Sequence, residues 1–552
     1  MTSKLLLFHT LRYLRWEQIV FRIAARFRKV DATPVAAPPV TAWSHPWTGT
    51  RYKAATLAAD DTWTFLGESH RVERASDWNH TAWSKLWLYN LHYFDDLDAV
   101  DAETRAAQHE HWVTRWVTDN PASSGNGWEP YTLSLRIVNW IKWLSTHPDP
   151  QPGWLDSLAL QVSVLQQRLE YHLLGNHLFA NAKALVFAGT YFSGDLAKSW
   201  VEKGVAIFDR EIPEQFLADG AHFELSPMYH ATLLWDLIEL LELARCSGHG
   251  ALKSREPVWR EYVARGLAWL ATMCHADGEI SFFNDAAFGI APSPEQVYGY
   301  AARLGFAPPA VARPAGDYVR LTRMESSGYA RIDWPDAEAF IDVARVGPDY
   351  LPGHAHADTL SFEWSLRAQR VLVNSGTSQY GDDAERQRQR GTAAHNTVVI
   401  GGENSSEVWA GFRVARRAYP TRLTFANTVS EVRLGCAHTG YRRLAGRPVH
   451  RREWLAVPHA LRITDTLSEP SGDAVAYFHL HPDVRATLVA GTVQLELMDG
   501  GTVSFRFEGG APTLSASTWH PRFGESVPST RIVVPFQAAT LVTVMNWSSD
   551  IP

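Results

Sequence analysis

Residues 308–317 read Pro-Pro-Ala-Val-Ala-Arg-Pro-Ala-Gly-Asp, and the hydrophobic period of the chain differs on the two sides of this stretch. Proline and glycine interrupt helices and central strands alike, so a boundary is expected here. Upstream, from 41 to 310, apolar residues recur at three- and four-residue spacing in 131–145, 155–173, 178–191, 229–246 and 259–274, which predicts amphipathic helices. Helix after helix, with no strand pattern between, predicts paired helices stacked side by side or closed into a ring. Downstream, 329–333, 339–346, 359–366, 371–374, 397–400, 493–497, 502–507 and 540–545 are short, rich in β-branched and aromatic residues, and bounded by turn formers. That composition predicts an antiparallel β-sandwich. The expected organisation is a basic amphipathic segment over 1–40, a helical domain over 41–310 and a sandwich over 318–552.

The bulk numbers agree with a multidomain globular protein. At 552 residues the chain exceeds what a single hydrophobic core fills, and 45% hydrophobic with 20% charged residues is ordinary for a folded soluble chain. The net charge of −7 comes without a long Lys/Arg run, which argues against nucleic acid as a partner. The three cysteines, Cys246, Cys274 and Cys436, are too far apart for a disulfide framework or a compact thiolate site. No apolar run approaches the roughly 20 residues that span a bilayer, so an integral membrane protein is not expected. In the first 30 residues the apolar patch at 5–8 is soon followed by Arg12, Arg15 and Arg22 without a small-residue cleavage site, so no secretory signal is read there. This segment is expected to be a docking helix, with a membrane-surface role as the alternative. The compartment stays open between the periplasm or envelope and the cytoplasm.

Tryptophan is the compositional outlier, with 23 residues that include Trp78, Trp83, Trp87, Trp112, Trp116, Trp128, Trp140 and Trp143. Aromatic faces stack on the C–H surfaces of sugar rings, but core packing is the expectation for more than half of these residues. Only a cluster lining a groove speaks for function.

Four stretches concentrate polar, titratable residues. Gly175-Asn176-His177 lies between apolar helices, where Asn and His either cap the second helix or offer donors to a carboxylate. In 219–230, Tyr229 follows a Ser226-Pro227 helix start, and the helix dipole there favours the phenolate form. In 353–358, His354 and His356 alternate ahead of a strand pattern, and extended backbone sends both to one face. Such a pair suits a metal, proton transfer or a solvated loop. His395-Asn396-Thr397 follows Arg386, Arg388 and Arg390 and, with His356 and Asn374, has the makings of a three-donor metal site.

Taken in order, Gly175-Asn176-His177, the Glu224-to-Tyr229 stretch, 353–358, the Asn374-to-Gly376 turn and His395-Asn396-Thr397 resemble the heparinase II/III-like polysaccharide lyases. The likeness runs from about Trp83 to the end; its motifs are specific as an ordered set and not singly. It implies an N-terminal α/α toroid (an incomplete helical barrel), a C-terminal antiparallel β-sandwich, and a cleft between them that holds a uronic-acid-containing acidic polysaccharide. By that likeness Asn176 and His177 neutralise the uronate carboxylate, and Tyr229 and His354 exchange protons. His356 and His395 match ligands of a structural zinc or other divalent cation. The third position departs from the family: Asn374 stands where Asp is usual, and an amide oxygen is a poorer, neutral ligand.

The chemistry so implied is β-elimination. Removing the C5 proton of a uronate requires its carboxylate to be neutralised, and preorganised donors are worth about 3–4 kcal/mol each in comparable sites. Tyr229 or His354 serves as base and the other as acid, an assignment that the sequence leaves open. Arg390 is expected to tune the tyrosine and to contact substrate, and Tyr93, Trp128, Glu129 and Arg136 to line the cleft. Two other classes are carried alongside. One is a glycoside hydrolase using carboxylates drawn from Glu129, Asp219, Glu224 and Asp285. The other is a non-catalytic glycan-binding factor in surface polysaccharide assembly. Neither the polymer, endo or exo action, nor oligomeric state is readable.

Overall fold

The computed structural model describes residues 3–147, 149–469 and 473–548. Its first half is helical: α1 (Ser3–Leu11), α2 (Trp16–Phe27), α3 (Lys85–Tyr93), α4 (Ala106–Asp119), α5 (Pro130–Thr146), α6 (Pro152–Gln167), α7 (Gly175–Tyr191), α8 (Asp195–Gln215), α9 (Pro227–Ser247), α10 (Gly250–Lys253), α11 (Glu256–Thr272) and α12 (Pro294–Arg303). The helix starts follow local chemistry. Ser84, Ser226 and Ser293 each accept a backbone N–H three residues on, and proline opens α5, α6, α9 and α12, where its missing N–H costs nothing. α7 packs between α5 and α8, and α9 packs on α11 and α7, an incomplete toroid around one apolar core.

That core answers the tryptophan question. Trp78, Trp87, Trp112, Trp116, Trp128 and Trp140 are buried, and Trp83 and Trp143 pack against the same cluster. They hold the toroid together and do not line a groove. The helical reading missed one hairpin, Thr62–Phe65 with Glu68–Arg71, whose turn residues Leu66 and Gly67 both take positive φ. Strands of four residues are too short to show a period against a helical background.

After α12 the first sheet strand begins at Arg320. A five-stranded antiparallel sheet, Arg320–Met324 through Gln369–Leu372, runs in chain order. An eight-stranded and a four-stranded antiparallel sheet share one apolar core with it, the β-sandwich. His450–Val457 alternates buried and half-buried residues, which puts Arg452 inside with Asp465. Arg452 also donates to the carbonyls of Leu360 (2.9 Å) and Asn396 (2.6 Å), tying down two loops behind the site.

The five-stranded sheet is the joint between the halves. Met324, Tyr329 and Phe340 pack with Ala221, Leu225, Trp269 and Phe283, and Tyr329 donates to the Leu225 carbonyl at 2.7 Å. His275 reaches Glu363 at 2.9 Å across the same joint. This docking places the loop carrying His354 against the start of α9.

Candidate active site

A cavity of about 1570 Å³ lies between the helical half and loops of the sandwich, lined by Asn176, His177, Glu224, Tyr229, His354 and Tyr380 among others. Small-ligand sites usually occupy about 300–1,000 Å³, so there is room for several sugar rings.

One wall is the first turn of α7. Leu174 (φ 65°) and Gly175 (φ 54°) both take left-handed φ, which swings the chain into the helix with Asn176 and His177 at its open N-terminus. A Cβ at Gly175 would meet the Leu351 side chain, so glycine suits the turn twice over. Unpaired N–H groups and the positive end of the dipole make this turn a natural place for a carboxylate. The His177 Nδ1 lies 3.1 Å from Glu170 Oε1, its ring packs on Tyr131 at 4.5 Å, and the Asn176 side chain bonds Tyr131. Burial works against a charged His177, but the Glu170 carboxylate outweighs it and raises the imidazole pKa above its usual value. Glu170 is itself fixed by Asn181 at 3.0 Å.

The facing wall holds the proton-transfer candidates. Ser226 caps α9 through the Tyr229 N–H at 3.2 Å, so Tyr229 sits in the first turn as expected. Its ring stacks on His354 at 3.7 Å, and its hydroxyl meets that of Tyr380 at 2.8 Å. The expected phenolate is not what these surroundings favour. Burial, then Tyr380 and the charge of Asp285, push the Tyr229 phenol well above the usual tyrosine value, beyond what one helix dipole offsets. His354 Nδ1 lies 2.6 Å from Glu224 Oε2. Burial penalises the Glu224 anion, yet His354, His222 and His177 hold its pKa below the carboxylate norm. A carboxylate only accepts, so His354 Nδ1 carries a proton, and in the neutral form of the ring the lone pair lies on Nε2.

Deeper in, Lys142 bonds Asp98 (3.0 Å) and Glu239, and Lys183 bonds Asp236 (2.5 Å) and Glu239. Burial disfavours the Glu239 anion, but the two lysines bring it to about 2. Both lysines are thus already neutralised by the protein's own carboxylates.

His354 and His356 do not share a face, contrary to expectation, because 353–358 is a turn and not a strand. His354 enters the cavity; His356 is buried and bonds Asp285 at 2.8 Å. Asp285 in turn forms a bidentate pair with Arg386. His356 Nδ1 and His395 Nε2 are buried without hydrogen-bond partners, and the rings stand 5.2 Å apart. Against a cation, the Asn374 oxygen is taken up by His395 Nδ1 at 3.2 Å and its amide donates to the Phe282 carbonyl at 2.8 Å. Asp285, which bonds His356, is committed to Arg386, and Glu363 beside Asn374 is taken up by the Asn374 and Phe282 N–H groups. Among the described residues no group of three His, Cys, Asp or Glu is placed to hold a metal. Two imidazoles and a neutral, already bonded amide do not fit a tightly held divalent cation.

Of the residues expected to line the cleft, Tyr93 does so. Trp128 lies in the toroid core. Arg136 is buried, spending its donors on Gln161 and the carbonyls of His92 and Gly127. Arg390 likewise binds the carbonyls of Ala355, Ala410 and Gly411, fixing the His354 loop where a substrate contact was expected. Glu129 bonds Tyr89 and Lys85, which line the cavity. Of the carboxylates considered for hydrolysis, Asp219 holds Ser327 and Asp285 holds Arg386, so only Glu224 reaches the cavity. Sequence reasoning missed Tyr380, Tyr131 and Glu170. Tyr380 sits in a loop without periodicity, and its hydroxyl reaches Tyr229 across 151 residues of chain.

Comparison with known proteins places this geometry in context. Residues 63–299 match the model described as Heparinase II/III N-terminus, and residues 319–548 match Heparinase II/III-like, C-terminal. A heparin-sulfate lyase of Bacteroides stercoris is 24% identical over 302 residues, covering 50% of this chain and 44% of that protein. FtsZ-localized protein C of Caulobacter vibrioides is 25% identical over 446 residues, covering 73% and 71%. The chain spans about half the length of the heparin-sulfate lyases it matches. A solved structure of heparinase III superposes with TM-score 0.70 at 16% identity, covering 96% of this chain and 89% of that one; at that identity the likeness is one of fold.

Proposed function

Because the chain belongs to the heparinase II/III family, we propose that it cleaves a uronic-acid-containing polysaccharide by β-elimination, leaving a 4,5-unsaturated uronate end. The observation that carries this reading is the stacked Tyr229–His354 pair facing the Asn176–His177 turn across one cavity. Hydrolysis needs two carboxylates flanking the bond; of the four considered only Glu224 borders the cavity, bonded to His354, and the deeper Asp98, Asp236 and Glu239 are paired with Lys142 and Lys183.

In the proposed reaction the uronate carboxylate lies at the first turn of α7. Asn176 and cationic His177 donate to it and stabilise the charge that develops as C5 loses its proton. His354 Nε2 takes that proton, with Glu224 holding the imidazole in the required tautomer and stabilising the imidazolium. The C5 electron pair forms the C4=C5 double bond, and the C4–O4 bond breaks. Tyr229, kept a neutral phenol by burial, delivers its proton to O4, and Tyr380 stabilises the resulting phenolate through their hydrogen bond. Proton return from the imidazolium to the phenolate, through solvent, resets the site. No step uses a metal.

A panel of uronate polymers incubated with the protein tests the reading. Growth of the ultraviolet absorbance of a conjugated uronate on at least one polymer is expected, while new reducing ends without that absorbance contradict it.

A further inference from the structure

α2 is packed the wrong way round for a helix of a globular protein. Its apolar stripe, Trp16, Ile19, Val20, Ile23 and Phe27, follows the i, i+3, i+4, i+7 spacing that normally faces a core. Here every one of these side chains is exposed, Trp16 at 75% and Phe27 at 81%. The opposite side holds the helix to the protein. Gln18 is buried and donates to the Tyr350 carbonyl at 3.2 Å, and Phe21 stacks on Tyr171 at 4.8 Å. Arg15 pairs with Glu214 and lies over the Tyr350 ring, and Arg28 donates to the Gln167 carbonyl. α1 continues the pattern: Leu7, Thr10 and Leu11 border the cavity mouth, Trp409 donates to Thr10 at 3.0 Å, and Leu5 and Phe8 face solvent.

Charge accompanies the stripe. Residues 4–29 carry Lys4, Arg12, Arg15, Arg22, Arg26, Arg28 and Lys29 against a single acid, Glu17, in a chain whose net charge is −7. An exposed apolar stripe flanked by an excess of cations is the pattern of a helix that lies in the headgroup region of an anionic bilayer. We propose that α1 and α2 dock the protein on an anionic membrane surface, with Trp16, Ile23 and Phe27 inserted among the lipids. Since α2 is fixed to the toroid and α1 to the sandwich beside the cavity mouth, docking holds the cleft at the membrane, facing polymer attached to or emerging from it. The inference does not depend on the elimination chemistry.

The test is co-sedimentation of the full chain with vesicles of phosphatidylcholine alone or containing phosphatidylglycerol. Binding to the anionic vesicles is expected to exceed that to neutral ones by about tenfold and to weaken with salt. The triple variant Trp16→Ser, Ile23→Glu, Phe27→Ser is expected to lose it, with an unchanged circular dichroism spectrum. Arg26→Glu with Lys29→Glu alters only exposed side chains and is expected to weaken anionic binding alone, which keeps the test valid if the triple variant misfolds. A chain that stays in the supernatant with anionic vesicles overturns the proposal, as does undiminished binding by the charge-reversed variant. So does a wild-type dimer in light scattering that the triple variant converts to monomer, since a second copy then covers the stripe.

Discussion

The Tyr229 and His354 rings stack at 3.7 Å with planes 16° apart, and they come from different halves of the molecule, Tyr229 from α9 and His354 from the loop before the strand Phe362–Leu366. The proposed proton-transfer pair therefore forms only when the five-stranded sheet is docked on the toroid. Replacing Tyr229 by Phe keeps the stack and deletes one hydroxyl. A fall of about 10²–10⁴ in kcat with little change in KM is expected in a uronate-lyase assay. A variant as active as the parent removes Tyr229 from the chemistry.

In the proposed mechanism Glu224 acts through His354, which it contacts at 2.6 Å. Glu224→Gln exchanges an obligate acceptor for an amide that also presents a donor, so the His354 tautomer is no longer fixed. A loss of about 10²-fold in kcat is expected, with KM retained and the pH profile altered. A purely structural Glu224 would instead lower the thermal midpoint and leave the kcat of the folded fraction intact.

His177 gives the pH dependence its sign. Its pKa is raised in the folded protein because Glu170 overcomes the burial penalty. The stabilisation it contributes is complete below the unfolded histidine value of about 6.5 and is lost as pH rises through the elevated folded value. If the cation is what neutralises the substrate carboxylate, kcat/KM falls on the alkaline side over that window. Glu170→Gln removes the opposing charge and is expected to move the alkaline limb to lower pH; a limb that stays put contradicts the assignment.

Much of this was legible beforehand because it is local. Proline and glycine at 308–317 mark the change of period, and the Ser226-Pro227 start places Tyr229 in a first turn. What depends on tertiary partners was not. Arg136 and Arg390 look like substrate cations in sequence but are spent on carbonyls. For the tryptophans of the first third, core packing is the expectation for more than half, and which of them would instead face a groove is not readable; the named ones lie in or against the core. The tyrosine's protonation went the other way because burial, which no local pattern reports, exceeds the pull of a helix terminus.

Asn374 makes the metal question testable in one substitution. Wild-type protein is expected to carry no stoichiometric zinc after dialysis and to keep its thermal midpoint in chelator. Asn374→Asp supplies a carboxylate beside His356 and His395 and is expected to gain zinc by elemental analysis, with a chelator-sensitive midpoint. Stoichiometric zinc in the wild type would show that the amide is ligand enough.

Elimination and hydrolysis differ in where water goes, and product masses from cleavage in ¹⁸O-enriched water read this directly. Elimination splits the chain without adding water, so the new non-reducing fragment is lighter by one water than its hydrolytic counterpart and neither new end acquires ¹⁸O through cleavage. Saturated fragments with ¹⁸O built into a new end at the moment of cleavage would contradict the elimination mechanism.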